Sequence, residues 1–498
     1  MTLSEHSDRS AAGTACEIAI IGAGFAGIGM AIRLLQAGIE SFALYERASE
    51  IGGTWRDNTY PGAACDVPSH VYSLSFEPNP HWSHKYAGSR EIHDYLLRLV
   101  DKWRLRSRLH LDTGIVGARF DEQTGLWRLE SDAGDTFSAR VVVSCVGGFS
   151  NPAQPDIPGL ADFSGARFHT ARWRHDVSLA GRRVAVIGTG ASAVQVVPAI
   201  APEVGALTVF QRSAPWVLCK RDRPYSERKR RFFARFPWAL AISRFRKYLV
   251  RELFGPVIYR DSKRLSQMAE KRSLAHLHAQ VQDPELRARL TPDFQFGCKR
   301  VLLSDDYWAT FERDNVELVT EPIEAVRERG IETASGRLRE CDVIVLATGF
   351  VQGLATAPFA IVGRAGHTLA EEWADGASAF LGMSVAGFPN WFTLMGPNTG
   401  PGHTSVLVYT EAQISHVLGA IRLLRRGQVK YVEVRREVQE RYQRLLDRRM
   451  RKTSWSSGCN SWYLSEDGQN HALYPGLAAE YVWRARRFKR AQYQLVSF

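Results

Sequence analysis

A glycine-rich turn between an apolar strand and a helix occurs twice in this chain, and this repeat constrains the fold more than any other feature. The first copy runs from Cys16 to Gly27 and the second from Arg183 to Ala193. Glycines at such a turn let the backbone approach a pyrophosphate at the positive end of the helix. Two βα units that bind nothing are the alternative, but each copy has its strand, glycine turn and helix, with Ala193 as an accepted replacement for the third glycine of the second copy. We therefore expect two dinucleotide-binding units.

The residue that ends the second strand of each unit differs between the copies. Glu46 stands 24 residues after Gly22, and Arg212 stands 24 residues after Gly188. A carboxylate at this position accepts hydrogen bonds from a ribose 2′-hydroxyl, whereas an arginine suits a 2′-phosphate. The first unit is therefore predicted to bind FAD (or NAD) and the second NADP. A chain that binds both is predicted to be a flavoprotein that receives hydride from NADPH.

Length and composition indicate a globular protein of two or three domains, because 498 residues exceed one ordinary core. No run of 18 uncharged apolar residues suggests a membrane span, and the first fifteen residues lack the apolar core of a secretory signal. The seven cysteines are Cys16, Cys65, Cys145, Cys219, Cys298, Cys341 and Cys459. Their scatter, without a Cys-x-x-Cys pair, argues against a disulfide framework, a zinc site and a dithiol reductase. A reduced, cytoplasmic location is expected.

The formal net charge of +12 raises the question of a nucleic-acid partner. The basic residues are spread through the chain, no nucleic-acid module is visible, and NADP is itself polyanionic, so no such partner is expected. The densest basic stretch, Lys220 to Arg251, contains interleaved aromatic residues and is predicted to form amphipathic helices. A solvated helical subdomain is the favoured interpretation, and contact with a membrane surface or a partner is the alternative.

The predicted fold class is α/β, with two Rossmann-like dinucleotide-binding domains, the NADP domain inserted in the FAD domain, and a helical insert. Residues 1–150 are assigned to the first part of the FAD-binding domain. Residues 151–350 are assigned to the NADP-binding domain, with the helical insert at about 216–295, and residues 351–498 to the second FAD-binding part and a C-terminal loop. A proline-rich linker at 151–158 marks the first boundary. This insertion places the expected active site between the two domains.

Three further stretches carry a family resemblance. Residues 163–173 contain the pattern Phe-x-Gly-x-x-x-His-x-x-x-Trp, formed by Phe163, Gly165, His169 and Trp173. Residues 52–66 contain a longer pattern that ends at an aspartate, and residues 297–307 contain a Lys-Arg pair. The first pattern resembles the fingerprint of type I Baeyer–Villiger monooxygenases, although Arg174 stands where that family usually has Pro or Asp. The other two patterns resemble the family's second motif and its active-site arginine segment, so the resemblance covers nearly the whole chain.

The resemblance implies an FAD- and NADPH-dependent monooxygenase that converts ketones to esters or lactones with O2 through a C4a-peroxyflavin. Sulfides are expected as second substrates. The nearest alternative is a flavin-containing monooxygenase that oxidises nitrogen or sulfur. A disulfide reductase is disfavoured because Cys-x-x-Cys is absent, and a silent flavin-binding sensor is disfavoured because the catalytic set is complete.

Two catalytic residues follow from the resemblance. Arg300 would stabilise the negative charge of a peroxide and then of the tetrahedral adduct, as an oxyanion hole does. Asp66 follows a Tyr-Pro-Gly turn, and the resemblance makes it the partner that holds Arg300 in place. His169 is interpreted as a hinge and domain-coupling residue rather than as an acid or base, because it lies in a linker.

Near the C-terminus, Trp455 matches a family tryptophan on a mobile loop that touches the nicotinamide ribose, with a core aromatic as the alternative. Trp462 and Tyr463 are predicted to serve in packing. No metal site is expected.

The remaining expected cofactor contacts fall into two groups. Around the first turn they are Gly22, Gly24, Phe25, Ala26, Gly27, Glu46, Thr54, Trp55, Asp66, Tyr72 and Ile115. Around the second turn they are Gly188, Thr189, Gly190, Ala191, Ser192, Ala193, Arg212, Ser213, Lys299, Arg300 and Trp455.

Overall fold

The computed structural model describes residues 15–351, 359–459, 461, 463, 464 and 468–498. Its strands are β1 (Ala15–Ile21), β2 (Phe42–Tyr45), β3 (Leu109–His110), β4 (Ile115–Asp121), β5 (Leu126–Ser131), β6 (Thr136–Ser144), β7 (Ala166–His169), β8 (Arg183–Ile187), β9 (Ala206–Phe210), β10 (Val217–Leu218), β11 (Leu302–Leu303), β12 (Val316–Val319), β13 (Ile323–Arg327), β14 (Gly330–Thr333), β15 (Leu338–Glu340), β16 (Val343–Leu346), β17 (Ala360–Val362), β18 (Trp391–Thr393), β19 (Val429–Val434) and β20 (Tyr493–Ser497).

The α-helices are α1 (Phe25–Gln36), α2 (Thr54–Asp57), α3 (Ser89–Lys102), α4 (Ala191–Ile200), α5 (Glu227–Arg235), α6 (Pro237–Tyr259), α7 (Lys263–Gln280), α8 (Pro284–Leu290), α9 (Leu369–Glu372), α10 (Val406–Leu424), α11 (Arg436–Met450) and α12 (Ala478–Ala485). Among the described residues, no helix is both long enough and apolar enough to span a bilayer.

The larger sheet has eight strands in the order β17-β4-β5-β6-β1-β2-β3, with β18 also paired to β6. Strands β6, β1, β2 and β3 run parallel, whereas β4, β5 and β6 form an antiparallel meander. Because β17 and β18 join this sheet after a long excursion of the chain, one unit is built from two separate parts of the sequence. Helices α1 and α10 pack together beside this sheet in its largest apolar core.

The second sheet is entirely parallel, in the order β12-β9-β8-β16-β7. All five strands lie in the chain between β6 and β17, so this Rossmann unit is inserted in the first one, as predicted. Its strands are buried on both faces, which explains runs such as Val343–Leu346 without polar alternation. The boundaries assigned at residues 150 and 350 remain predictions.

The two glycine turns solve the same steric problem. Gly22 has φ +100° and Gly188 has φ +110°, a region that favours glycine. A Cβ at Gly22 would lie 2.6 Å from the carbonyl oxygen of Cys145, and one at Gly188 would lie 2.6 Å from that of Ala347. In both units the strand beside β1 or β8 closes on the turn, so only glycine fits.

Helices α5 to α8 interrupt the second unit inside the predicted insert range. The short strands β10 and β11 pair in parallel on either side of them and so close the base of the insert. A three-stranded sheet (β13-β14-β15) and the antiparallel pair β19–β20 complete the described fold.

Candidate active site

The first nucleotide turn presents an uncapped helix end beside a buried carboxylate. No described side chain caps the first turn of α1, which follows Gly24 and includes Ala26 and Gly27. Glu46 lies buried just after β2 and accepts hydrogen bonds from the backbone N–H of Ala23 at 2.9 Å and of Ala48 at 3.1 Å. This arrangement fits a dinucleotide, because free N–H groups face the pyrophosphate position while the carboxylate is held rigidly beside the turn.

An aromatic group lies next to this turn. Trp55 donates its indole N–H to the Tyr72 hydroxyl at 3.0 Å, and the Phe25 ring meets Tyr72 edge-on at 5.3 Å between centroids. Burial raises the pKa of Tyr72 well above its ordinary value, so it stays a phenol. Thr54 begins α2 in the same segment, and the buried Ile115 begins β4.

The second nucleotide turn carries a cationic cluster. Thr189 donates to the carbonyl oxygen of Ser213 at 2.9 Å, and the Lys299 ammonium donates to the Ser213 hydroxyl at 2.9 Å. Arg212, the residue before this serine, is exposed. Burial, followed by the charge of Arg212, lowers the pKa of Lys299 below its ordinary value.

The helix beside this cluster is also ready for an anion. Helix α4 starts with Ala191, Ser192 and Ala193, and no described side chain caps it. A Cβ on Gly190 would meet no atom within 4 Å, which leaves open space over the turn. The residues present therefore fit a pyrophosphate at α4 and a 2′-phosphate at the cluster.

Asp66 and Arg300 form an ion pair, as the sequence predicted them to lie together. Burial alone would raise the pKa of Asp66, but the charge and the hydrogen bond of Arg300, with a further contribution from Arg251, lower it below its ordinary value. The charge of Asp66 in turn raises the pKa of Arg300. The pair is thus ionised at neutral pH, and each side chain remains about 30% exposed.

This ion pair borders a small cavity. The cavity walls combine the ion pair and a third charged residue with apolar side chains, several of them from the helical insert, and a polar loop: Asp66, Val67, Leu218, Arg251, Phe254, Ile258, Arg300, Val301, Leu303, Gly402, His403 and Thr404. A guanidinium facing an apolar space suits a reaction in which negative charge develops on a small uncharged substrate.

The segment that carries Asp66 packs against the second unit. The Tyr60 hydroxyl donates to the side-chain carbonyl of Gln195 on α4 at 2.9 Å. Gly62 has φ +80°, and a Cβ there would lie 2.5 Å from the backbone oxygen of Gln195. This turn therefore sets the position of Asp66 relative to the NADP unit.

The 163–173 pattern forms part of the second core rather than of the cavity. A Cβ at Gly165 would lie 2.6 Å from the ring of Phe163, and Trp173 packs edge-on against Phe168. His169 ends β7, accepts a hydrogen bond from the Ala171 N–H at 3.0 Å, and is buried. Burial lowers the pKa of His169 below its ordinary value, so the ring is neutral at neutral pH.

Comparisons with known proteins bear on this site. A Baeyer-Villiger monooxygenase of Pseudomonas aeruginosa is 44% identical over 490 residues, which are 98% of this chain and 93% of that protein. Another, from Streptomyces coelicolor, is 41% identical over 96% of this chain and 92% of its own length. The chain belongs to the Baeyer–Villiger monooxygenase family.

Solved structures agree with this family assignment. A steroid monooxygenase bound to NADP matches with a TM-score of 0.87 and 32% identity, over 97% of this chain and all of that one. Cyclohexanone monooxygenase from Rhodococcus sp. Phi1, bound to NADP⁺, matches with a TM-score of 0.86 and 28% identity, over 98% and 100%. The model of the pyridine nucleotide-disulphide oxidoreductase family matches residues 19–227 only. That match spans both glycine turns but stops before Arg300.

Two aromatic residues near the C-terminus, Trp455 and Tyr463, lie near the cavity and Arg300, and the sequence did not settle their roles. Trp455 is buried against Tyr259 and Tyr463, and a Cβ on Gly402 at the cavity wall would lie 3.1 Å from its ring. Its indole N–H has no hydrogen-bond partner among the described residues. A buried donor beside a cavity fits a ligand contact, so the ribose role of Trp455 stays a prediction with support.

Tyr463 does more than the packing predicted for it. It is buried and forms a hydrogen bond with Arg300, which partly offsets the rise that burial causes in its pKa. The sequence carried no signal for this contact, because 163 residues separate the two groups in the chain. Trp462 lies outside the described residues.

One cysteine pair was not predicted. Cys298 and Cys459 form a disulfide, with Cα atoms 6.4 Å apart and a sequence separation of 161. Spacing rules detect local cysteine pairs and miss this one, because the fold alone brings the arginine segment to the loop after Trp455. Cys16, Cys65, Cys145, Cys219 and Cys341 are free. The disulfide therefore links the segment of Arg300 to the loop that holds Trp455.

Proposed function

We propose that this chain is an FAD- and NADPH-dependent Baeyer–Villiger monooxygenase that converts ketones to esters or lactones with O2. The observation that carries the proposal is the Asp66–Arg300 ion pair at a cavity with largely apolar walls. Arg300 directly follows Lys299, which belongs to the second nucleotide site. Bound FAD, reduced by NADPH, supplies the redox and oxygen chemistry. The protein supplies position, charge and exclusion of water.

The cationic cluster holds the coenzyme. Arg212 and Lys299 would bind the 2′-phosphate through charge-assisted hydrogen bonds, with Ser213 fixing the lysine. Trp455 would donate its unpartnered N–H to the nicotinamide ribose. The glycines of the two turns would let a pyrophosphate approach the N-terminus of each following helix.

Arg300 acts on the reacting atoms. Its guanidinium, held at the cavity by Asp66, would stabilise negative charge that develops on oxygen while bound FAD supplies the oxygen chemistry. Asp66 is a positioning residue, because its carboxylate, together with the Tyr463 hydroxyl, holds the guanidinium. A preorganised cation of this kind needs no reorientation when charge develops.

The apolar part of the cavity binds the ketone. Phe254, Ile258 and Val301 line the same space as Arg300, and with a ketone bound they would keep water from the guanidinium. Exclusion of water strengthens the electrostatic effect of the guanidinium and protects reactive intermediates from hydrolysis. Small uncharged ketones are therefore the proposed substrates, and oxidation of sulfides remains a prediction. We also propose that the protein is cytoplasmic.

The test is a substrate panel with the purified, flavin-loaded protein. Linear, cyclic and aryl ketones, a thioether and a tertiary amine are each supplied with NADPH in air, and both NADPH consumption and products are measured. The proposal predicts ester or lactone from at least one ketone class. Formation of N-oxide or sulfoxide with no ester from any ketone would instead indicate a heteroatom-oxidising monooxygenase.

A further inference from the structure

Helix α6 of the insert exposes a row of large apolar side chains to solvent. Six of them are between 40% and 71% exposed: Trp238, Ile242, Phe245, Leu249, Val250 and Leu253. Most are spaced three or four residues apart, so they share one face of the helix. Phe232 and Phe236 extend the row at the corner with α5, where the Phe236 ring lies 6.2 Å from that of Trp238. Isolated exposed apolar residues are common, but a contiguous row of this size marks an interaction surface.

The opposite side of α6 packs against the protein and is polar in its middle part, whereas Leu240 near its start and Ile258 near its end are buried apolar side chains. Arg244 donates to the carbonyl oxygen of Ser73 at 2.7 Å, and the Ser243 hydroxyl forms a hydrogen bond with the His70 ring at 2.9 Å. Further along, Glu252 pairs with the buried His403 at 3.1 Å. The middle of the helix thus differs from an ordinary surface helix, which keeps its large apolar side chains on the buried face. Packing among the residues that the structure describes does not explain why its outward face is apolar.

Positive charge surrounds the apolar row. Residues 227–259 contain nine Lys and Arg but only two Glu. Arg228, Arg231, Arg235 and Arg246 are exposed beside the row. Of the two acids, Glu252 is buried and Glu227 is paired with Arg231. Any partner that covers the row therefore meets cations at its rim.

We propose that the α5–α6 face (residues 227–253) docks on a lipid bilayer that contains anionic headgroups. A helix with exposed Trp and Phe side chains and flanking arginines lies in the bilayer interface, with its apolar side chains below the headgroups and its cations among the phosphates. A second copy of the chain is a poorer occupant, because a twofold interface would oppose the same cations to each other.

The docked face adjoins the cavity. Leu253 is 71% exposed, and the next residue, Phe254, lines the cavity in front of Arg300. An apolar ketone dissolved in the bilayer would therefore enter along α6 without crossing water. This statement about substrate class rests on the proposed function, whereas docking itself is measured without NADPH or substrate, so the two can fail separately.

Docking is tested by flotation of the flavin-loaded full chain with vesicles. Vesicles of phosphatidylcholine alone are compared with vesicles of equal parts phosphatidylcholine and phosphatidylglycerol. We expect binding to the anionic vesicles that weakens as salt screens the cations. The fluorescence of Trp238 should shift to the blue on binding, and the shift should be smaller in Trp238→Phe. No binding to anionic vesicles at low salt would overturn the proposal.

Two pairs of variants separate the apolar and cationic contributions. Phe245→Ser with Leu249→Ser should weaken binding by about tenfold or more for each side chain, whereas Val116→Ser with Leu338→Ser, exposed on strands β4 and β15, should not.

For the cationic contribution, Arg235→Gln with Arg246→Gln should weaken binding to the vesicles by about fivefold for each residue. The matched control removes the exposed Arg119 and Arg128, and it should change binding little.

Flavin content and activity on a water-soluble ketone should be unchanged in the insert variants, which verifies that they fold. Equal loss of binding in test and control variants would overturn the proposal, since it would show that the protein binds the vesicles non-specifically through its overall charge or surface hydrophobicity. A dimer in solution that Phe245→Ser and Leu249→Ser dissociate, with no vesicle binding, would assign the face to a second copy instead.

Discussion

Lys299 and Arg300 are neighbours in the chain, yet their surroundings are opposite. Lys299 lies beside another cation, Arg212, and its pKa is lowered by burial and by that charge. Arg300 lies against a carboxylate, and the charge of Asp66 raises its pKa. The first environment leaves positive charge in excess at an open nucleotide turn, which suits an anionic group brought by the coenzyme. The second neutralises and fixes the cation, which suits charge that appears only during a reaction. On the proposed function, one short segment would therefore join coenzyme binding to oxygen chemistry.

The largest effect on ester formation should come from removing Arg300, the cation paired with Asp66. In Arg300→Ala we expect ester formation to fall by about 10²- to 10³-fold, as when one preorganised charge stabiliser is lost. FAD binding and reduction by NADPH should persist, since other residues hold both cofactors. Ester rate and flavin content are measured together. Loss of flavin along with the rate would mean that Arg300 supports folding or cofactor retention instead.

Removing the exposed cation Arg212 should weaken binding of the coenzyme. Arg212→Ala loses one charge-assisted contact to the 2′-phosphate, worth roughly 1.5–3 kcal/mol or about one to two decades in NADPH affinity. Binding of NADH, which lacks the phosphate, should change much less. Titration with both coenzymes checks this. An equal loss for both would contradict the placement of the phosphate at Arg212.

A smaller effect is expected at the first nucleotide turn, where the selecting residue is buried. Glu46→Gln should weaken FAD retention by about twofold to tenfold, the range for one hydrogen bond. Glu46 also accepts the Ala23 N–H and pairs with Arg56, so circular dichroism must verify that the fold is kept. The flavin-to-protein ratio after gel filtration is the measurement. Full loading in the variant, equal to wild type, would argue against the ribose contact.

The smallest effect concerns pH. Only protonated Lys299 attracts the phosphate, and its pKa lies below the ordinary value of 10.5. As pH rises, KM for NADPH should therefore increase earlier than a solvated lysine would cause, while KM for NADH stays level. Lys299→Arg, which remains charged, should abolish the alkaline rise. A rise that persists in this variant would show that another group is responsible.

Local patterns in the sequence predicted much of this molecule. Gly22, Gly188, Glu46 and Arg212 are defined by strand and helix signals within about 30 residues, the length of a βαβ unit. The pairing of Asp66 with Arg300 was accessible only through family resemblance, because nothing local joins residues so far apart. The same distance in sequence hid other contacts.

Contacts that depend on tertiary packing were missed or left open. The hydrogen bond between Tyr463 and Arg300 and the disulfide between Cys298 and Cys459 arise only once the C-terminal loop reaches the arginine segment. The basic residues with interleaved aromatics between Lys220 and Arg251 predicted helices, and α5 and α6 lie there. Which side of α6 points inward could not be predicted, since the usual rule places the apolar face in the core and the middle of this helix exposes large apolar side chains.

Lys299 is expected to act in coenzyme binding and Arg300 in ester formation, and the ester formed per NADPH consumed distinguishes these two roles. Lys299→Ala and Arg300→Ala are assayed side by side at saturating NADPH, with ester and hydrogen peroxide quantified per NADPH consumed. We expect wild-type ester yield for Lys299→Ala once NADPH is saturating, and for Arg300→Ala a low ester yield with nearly all reducing equivalents released as hydrogen peroxide. A wild-type ester yield from Arg300→Ala would show that its guanidinium is not needed for ester formation.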